Sequence, residues 1–165
     1  MNPILDDIHV LLVRELESLR REIDLFPEES LLWSTPKGIA NPAGTLALHG
    51  CGNLNHYIGA VLGNTGYVRD RDEEFNDRSA SKEELTLAIR ETIHVMDAVL
   101  PGLSSEMLDG LFPQPVAGLR LNTRLFLLHL CCHLAFHVGQ VGYLRRILTG
   151  EETTADAVSL RALVD

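Results

Sequence analysis

The sequence predicts an all-α protein, a four-helix bundle with an extended crossover before its fourth helix and a short C-terminal helix. Three observations carry that prediction. Four segments repeat apolar residues at helical spacing, caps and breakers separate them, and the last of the four is apolar on nearly every side, as a helix inside a bundle should be. The chain has 165 residues, which suits a single domain over 1–165. A chain of that length buries about 70% of the surface its unfolded form exposes, enough to fold without staples.

From Pro3 to about Phe26, apolar residues recur at Ile4, Ile8, Leu11, Leu12, Leu16, Leu19 and Ile23 with charges between them, and Pro27 ends the helix. A linker from Glu28 to Ala40 carries Trp33 and the breakers Pro36 and Gly38. Asn41-Pro42 then reads as an N-cap followed by proline at the first helical position, starting a second helix that runs to about Leu62. On it Thr45, His49, Asn53 and His56 form a polar stripe. Gly50, Gly52 and Gly59 weaken the helix by about 1 kcal/mol each relative to alanine, a cost that close approach of a neighbour would explain.

Gly63-Asn-Thr-Gly66 predicts a turn, and the mixed-charge run from Tyr67 to Ala80, without a steady apolar period, predicts a solvated loop. Ser81-Lys-Glu-Glu84 has capping-box spacing, and Leu85, Ala88, Ile89, Thr92, Val95, Met96 and Val99 supply the buried face of a third helix that stops before Pro101. A short helical turn is expected over Leu103 to Leu108. Phe112-Pro-Gln-Pro-Val-Ala-Gly118 is too rich in proline for a helix and predicts the extended crossover. Asn122 or Thr123 can cap the fourth helix, which ends near Gly150, and Thr153 or Thr154 can start the short last one, through Ala155, Val158, Leu160 and Leu163.

Composition narrows the function. Net charge is −9 at pH 7 with His neutral, and Lys and Arg nowhere cluster, so nucleic acid and anionic membranes are not expected as partners. The three cysteines are an odd number in apolar helical surroundings, which reads as small buried hydrophobes in a reducing compartment. No secretory leader pattern and no uninterrupted apolar stretch of ~20 residues is visible, so the expected location is cytoplasmic.

The fourth helix holds the chemistry. His129, His133 and His137 stand at steps of four and so share one helix face. A random chain with this histidine content would show such a run only about 0.01 times, so the triplet is informative where a single pair is not. Imidazoles in apolar surroundings need partners, and a metal ion is one. Two histidines one turn apart reach one ion, but three successive turns span about 12 Å, so the helix supplies two ligands and another element must supply the third. The stripe on the second helix offers His49 or His56. Spacing alone leaves open 129/133 against 133/137, and His49 against His56.

Missing residues exclude some chemistries. His133-Leu-Ala-Phe-His137 lacks the glutamate of a zincin protease. A di-iron bundle needs two Glu-x-x-His pairs and two more glutamates, whereas only Glu91-Thr-Ile-His94 occurs. Neither a nucleophile elbow nor a Gly-rich phosphate loop is present.

The combination Leu-Ala-Leu-His49 with His129-Leu-x-x-His133-x-x-x-His137-x-Gly-Gln140 resembles the DinB-like superfamily of four-helix metalloproteins, over nearly the whole chain. One departure is Val138, where many relatives carry arginine. The resemblance implies a divalent metal, zinc first with nickel or iron as alternatives, held by His49, His133 and His137. It leaves Asn53, His56, His129 and Gln140 as neighbours of the metal or of a pocket. It also implies kinship with thiol-dependent S-transferases and mycothiol-dependent maleylpyruvate isomerase. The expected function is therefore a metal-dependent enzyme that activates a thiol or water nucleophile, of transferase or hydrolase type. Its substrate would be a small molecule, with a low-molecular-weight thiol as candidate partner, and no catalytic residue is assigned. The alternative is a non-catalytic metal-binding or interaction bundle acting through a partner or a homodimer face.

Overall fold

The computed structural model describes residues 2–164. Its long helices are α1 (Pro3–Asp24), α3 (Ala43–Leu54), α5 (Lys82–Val99) and α7 (Thr123–Thr149). Shorter ones lie between them: α2 (Glu29–Leu32), α4 (Arg71–Asn76) and α6 (Ser105–Asp109). α1 packs on α5 and α7, and α3 packs on the same two, so α1 and α3 face each other diagonally across a four-helix bundle. One connected apolar cluster fills the centre, with Leu12, Leu16, Ile23, Leu54, Ile89, Met96, Leu127 and Leu134 among its members.

Local signals explain the boundaries. The Asn2 side chain accepts from Ile4 N–H and Pro3 opens α1. Ser81 and Glu84 form the reciprocal capping box of α5. Asn122 caps α7, and Gly150 closes it in the left-handed region at φ 71°. The crossover is extended as expected: Phe112 N–H donates to Leu121 C=O at 2.8 Å, and the reversal at Ala117 and Gly118 takes positive φ of 50° and 80°.

Three regions differ from the sequence expectation. The second long helix does not stay α to its end, because Asn55–Leu62 opens into a π-helix. Gly63 N–H bonds back to Ile58 C=O at 2.9 Å, the five-residue step of that form. The expected helix from Thr153 is reduced to one 3-10 turn, Arg161–Leu163. The carbonyls that a helix would use internally are taken by arginines of the bundle: Arg145 donates to Thr153 C=O and Arg21 to Ala155 C=O. Asp156 and Val158 also have positive φ, which a helix does not allow.

The third difference is the run from Tyr67 to Ala80, which is not a uniformly solvated loop. Asp70 caps α4 by accepting from Glu73 N–H at 2.9 Å, and Glu74 in that helix is buried. Periodicity could not show this, because the side chain that α4 buries is a carboxylate. Gly52 makes room for it, since a Cβ there would lie 2.0 Å from Glu74 Oε1.

Long and apolar enough to cross a bilayer by composition alone, α7 here packs against α1 and α3 as a bundle helix.

Candidate metal centre

α3 and α7 bring three imidazoles together: His49, buried, and His133 and His137, half-buried. One potential ligand atom from each lies within 4.8 Å of the other two. The rings meet edge to face, with centroids 5.2 Å apart for His49 and His133, 5.3 Å for His49 and His137, and 4.5 Å for His133 and His137. Of the alternatives that spacing left open, the fold selects the 133/137 pair with His49.

The hydrogen bonds decide which nitrogens face inward. Nδ1 of His49 lies 3.0 Å from Glu74 Oε2, and Arg69 grips the same carboxylate with Nε at 2.6 Å and Nη2 at 2.8 Å. Burial alone would raise the Glu74 carboxyl, but the bonds from Arg69 and His49 outweigh it and hold the group below the usual carboxylate range. An ionised Glu74 can only accept, and at 3.0 Å it lies nearer to Nδ1 of His49 than the Arg69 Nη2 donor at 3.3 Å, so Nδ1 carries the proton and Nε2 is the nitrogen left to face an ion. His137 repeats the arrangement, with Nδ1 at 2.7 Å from Gln140 Oε1. Its Nε2 lies 3.1 Å from Nε2 of His133. Metal-ligating histidines are commonly oriented in this way, by a carboxylate or carbonyl on the other nitrogen.

The donor set fits a divalent ion of borderline softness. Nitrogens around zinc at ~2.1 Å stand about 3.4 Å apart, close to the 3.1 Å between His133 and His137, and one ligand atom of His49 lies within 4.8 Å of both. Protons compete weakly. Burial, followed by the neighbouring His137, His49 and His129, lowers the pKa of His133 from 6.5 to about 4. Burial also lowers that of His137, against the opposing bond to Gln140. His133 and His137 are thus free bases at neutral pH, the form that ligates.

The remaining expected neighbours separate. His129 is exposed, its ring stacked 6.0 Å from that of His133, and it stands outside the three-histidine group. His56 points to the crossover, with Nε2 3.1 Å from Gln114 Nε2. Asn53, one turn beyond His49, is 9% exposed and its Oδ1 has no hydrogen-bond partner. Gln140 touches His137 directly.

Sequence reasoning missed Arg69 and Glu74. The available signal was Asp70 followed by Asp72, Glu73 and Glu74, an N-cap with an acidic first turn. Of the cysteines, Cys51 and Cys131 are buried as expected, with burial raising both thiols to about 12, while Cys132 is exposed.

No protein-family model, curated protein or solved structure matches the chain.

Proposed function

We propose that the protein is a metal-dependent enzyme of the DinB-like type, binding a divalent ion, zinc first, through His49, His133 and His137. The observation that carries the reading is the orientation of the cluster. Glu74 and Gln140 occupy the outer nitrogens of His49 and His137, which leaves the inner ones directed at one point. Three protein ligands are the number found in catalytic rather than structural zinc sites. A divalent ion so held would lower the pKa of a bound water or thiol and would supply a nucleophile near neutral pH.

The chain's own groups set the conditions. Histidine ligands bring no negative charge, and Arg69 balances Glu74, so a divalent ion held there would keep its positive charge. Glu74 is a poor base, because Arg69 and His49 hold it ionised and bonded. Among the described residues the cluster is three histidines and no carboxylate, and a thiol, acidic on its own, would need a base there less than water would. The reading is therefore transfer of a low-molecular-weight thiol to a small electrophile, with hydrolysis as the related outcome. We place the protein in the cytoplasm.

Elemental analysis of protein purified without added metal, followed by assays with small thiols and model electrophiles, tests the reading. One equivalent of metal and thiol consumption that both vanish in His49→Ala and His133→Ala are expected. A wild-type protein that takes up no divalent metal even when supplied refutes it.

One observation favours a second reading. Leu125, Phe136, Tyr143 and Ile147 leave α7 with exposed apolar side chains, as a non-catalytic bundle with a partner or homodimer face would have. Full metal content without turnover selects that alternative.

A further inference from the structure

One helical turn from the three histidines, the seam between α3 and α7 opens into a cleft of about 380 Å³. Leu46, three residues before His49, and Gln140, three residues after His137, both line it. The segment from Gly38 to Asn41 closes its end, and Ile39, Leu144 and Ile147 make its walls apolar. The volume falls within the range of small-molecule sites, roughly 300–1,000 Å³, and a few polar groups among apolar walls, here Asn41, Gln140 and the Tyr143 hydroxyl, are the usual composition of such sites.

Gln140 joins the cleft to the histidines. When His137 offers Nε2 inward, its Nδ1 carries a proton, and the bond at 2.7 Å must end on the Gln140 carbonyl oxygen. The other end of that amide is then the NH₂ group, a pure donor, on a residue that lines the cleft. A ligand matched to this cleft has an apolar arm for Ile39, Leu144 and Ile147 and an acceptor oxygen for Gln140. A carbonyl compound meets both requirements, and its carbonyl then sits beside His137.

We propose that this cleft is the subsite for the electrophilic substrate, an acyl or other carbonyl compound with an apolar arm, and that Gln140 is the positioning residue that binds its oxygen. The proposal rests on the metal reading above for its chemistry, but the cleft can be tested by binding alone. The probes are 2-phenylacetamide, which carries ring and carbonyl, and ethylbenzene, which carries only the ring. Binding is measured calorimetrically or by ligand-observed NMR to apo and Co(II)-loaded protein, with the Co(II) absorption spectrum recorded in parallel.

Wild type should bind 2-phenylacetamide more tightly than ethylbenzene, and 2-phenylacetamide should perturb the Co(II) spectrum through Gln140 and His137. Ile147→Glu, at a position 62% exposed and so tolerant of a charge, should weaken both probes about tenfold or more while metal content stays the same. Gln140→Met should weaken 2-phenylacetamide and leave ethylbenzene unchanged. No binding of 2-phenylacetamide to a metal-loaded wild type overturns the subsite and leaves the metal reading standing. Binding that ignores Ile147→Glu, or that leaves the Co(II) spectrum unmoved, also overturns it. Binding by a protein that takes no metal keeps the cleft as a ligand site and removes the metal reading instead.

Discussion

Replacing Glu74 by Gln isolates what the buried carboxylate does for the metal centre. The substitution keeps size and leaves one acceptor oxygen, but it removes the charge that fixes the His49 tautomer and balances Arg69. Two effects follow. The lone pair of His49 Nε2 becomes less basic and its ring less firmly held. Loss of such an outer partner costs 10–100-fold in metal affinity, or about 1.4–2.7 kcal/mol. Arg69 is meanwhile left without its counter-ion, with side chains only 10% exposed for Arg69 and 7% for Glu74. Removing one member of a buried pair costs about 3–5 kcal/mol, and Gln, which still accepts a hydrogen bond, should fall at the low end. Competition against a chromophoric chelator gives the affinity, and urea unfolding of the apo protein gives the stability. Arg69→Met is the partner variant, and Glu74→Gln/Arg69→Met should recover part of the stability while leaving the metal affinity low. A Glu74→Gln protein whose metal affinity lies within twofold of wild type refutes the proposed tautomer and the role of α4 with it.

Four further outcomes are expected. His129→Ala and His56→Ala should keep the full metal content that His137→Ala loses, by elemental analysis, since both lie outside the three-histidine group. Gly52→Ala should destabilise by about 1–3 kcal/mol in urea unfolding and weaken metal binding, because its methyl would meet Glu74. In native protein one thiol, Cys132, should react with a disulfide reagent, and three after denaturation, because Cys51 and Cys131 are buried and raised to about 12. Apo stability should fall on acidification. His133 titrates near 6.5 when unfolded and about 4 when folded, so between those values the unfolded state binds more protons and each step down in pH favours it. Glu74, lowered in the fold, adds a loss in the same direction once pH drops below its unfolded value of about 4.3. A urea midpoint that does not move between pH 7 and pH 4.5 contradicts the histidine assignment.

Much of this was legible in the residues themselves. Ser81 with Glu84, Asn122, and the apolar period of α1 and α5 act within one or two turns of chain, so local physics set those boundaries. The choice of His133 and His137 over His129 needed the distance between α3 and α7, which no periodicity within one helix contains. The C-terminal segment came out as a single late 3-10 turn for the reverse reason. Its local pattern favours a helix, yet Arg145 and Arg21, more than a hundred residues from one another in sequence, take two of the carbonyls a helix would use internally.

The hardest feature to read was the buried polar support of the site. Glu74 occupies a core position that an apolar residue would mark, Gly52 is the vacancy that admits it, and Arg69 is the charge that makes its burial tolerable. Each residue looks unfavourable alone: a glycine inside a helix, a carboxylate in a core, an arginine in a short loop. Together they form a fixed acceptor aimed at one imidazole nitrogen. A bundle with no metal to bind would lose nothing with apolar residues at 69 and 74 and alanine at 52, since replacing a whole buried ion pair by packed hydrophobic groups is often neutral or stabilising. The triple variant Gly52→Ala/Arg69→Met/Glu74→Leu puts that reasoning to the test. It should match or exceed wild-type apo stability in urea if α4 repacks, while its metal affinity drops by at least the 10–100-fold expected of Glu74→Gln. Equal metal affinity in this variant would mean that Arg69, Glu74 and Gly52 are packing alone, and that His49 is oriented by something other than its carboxylate partner.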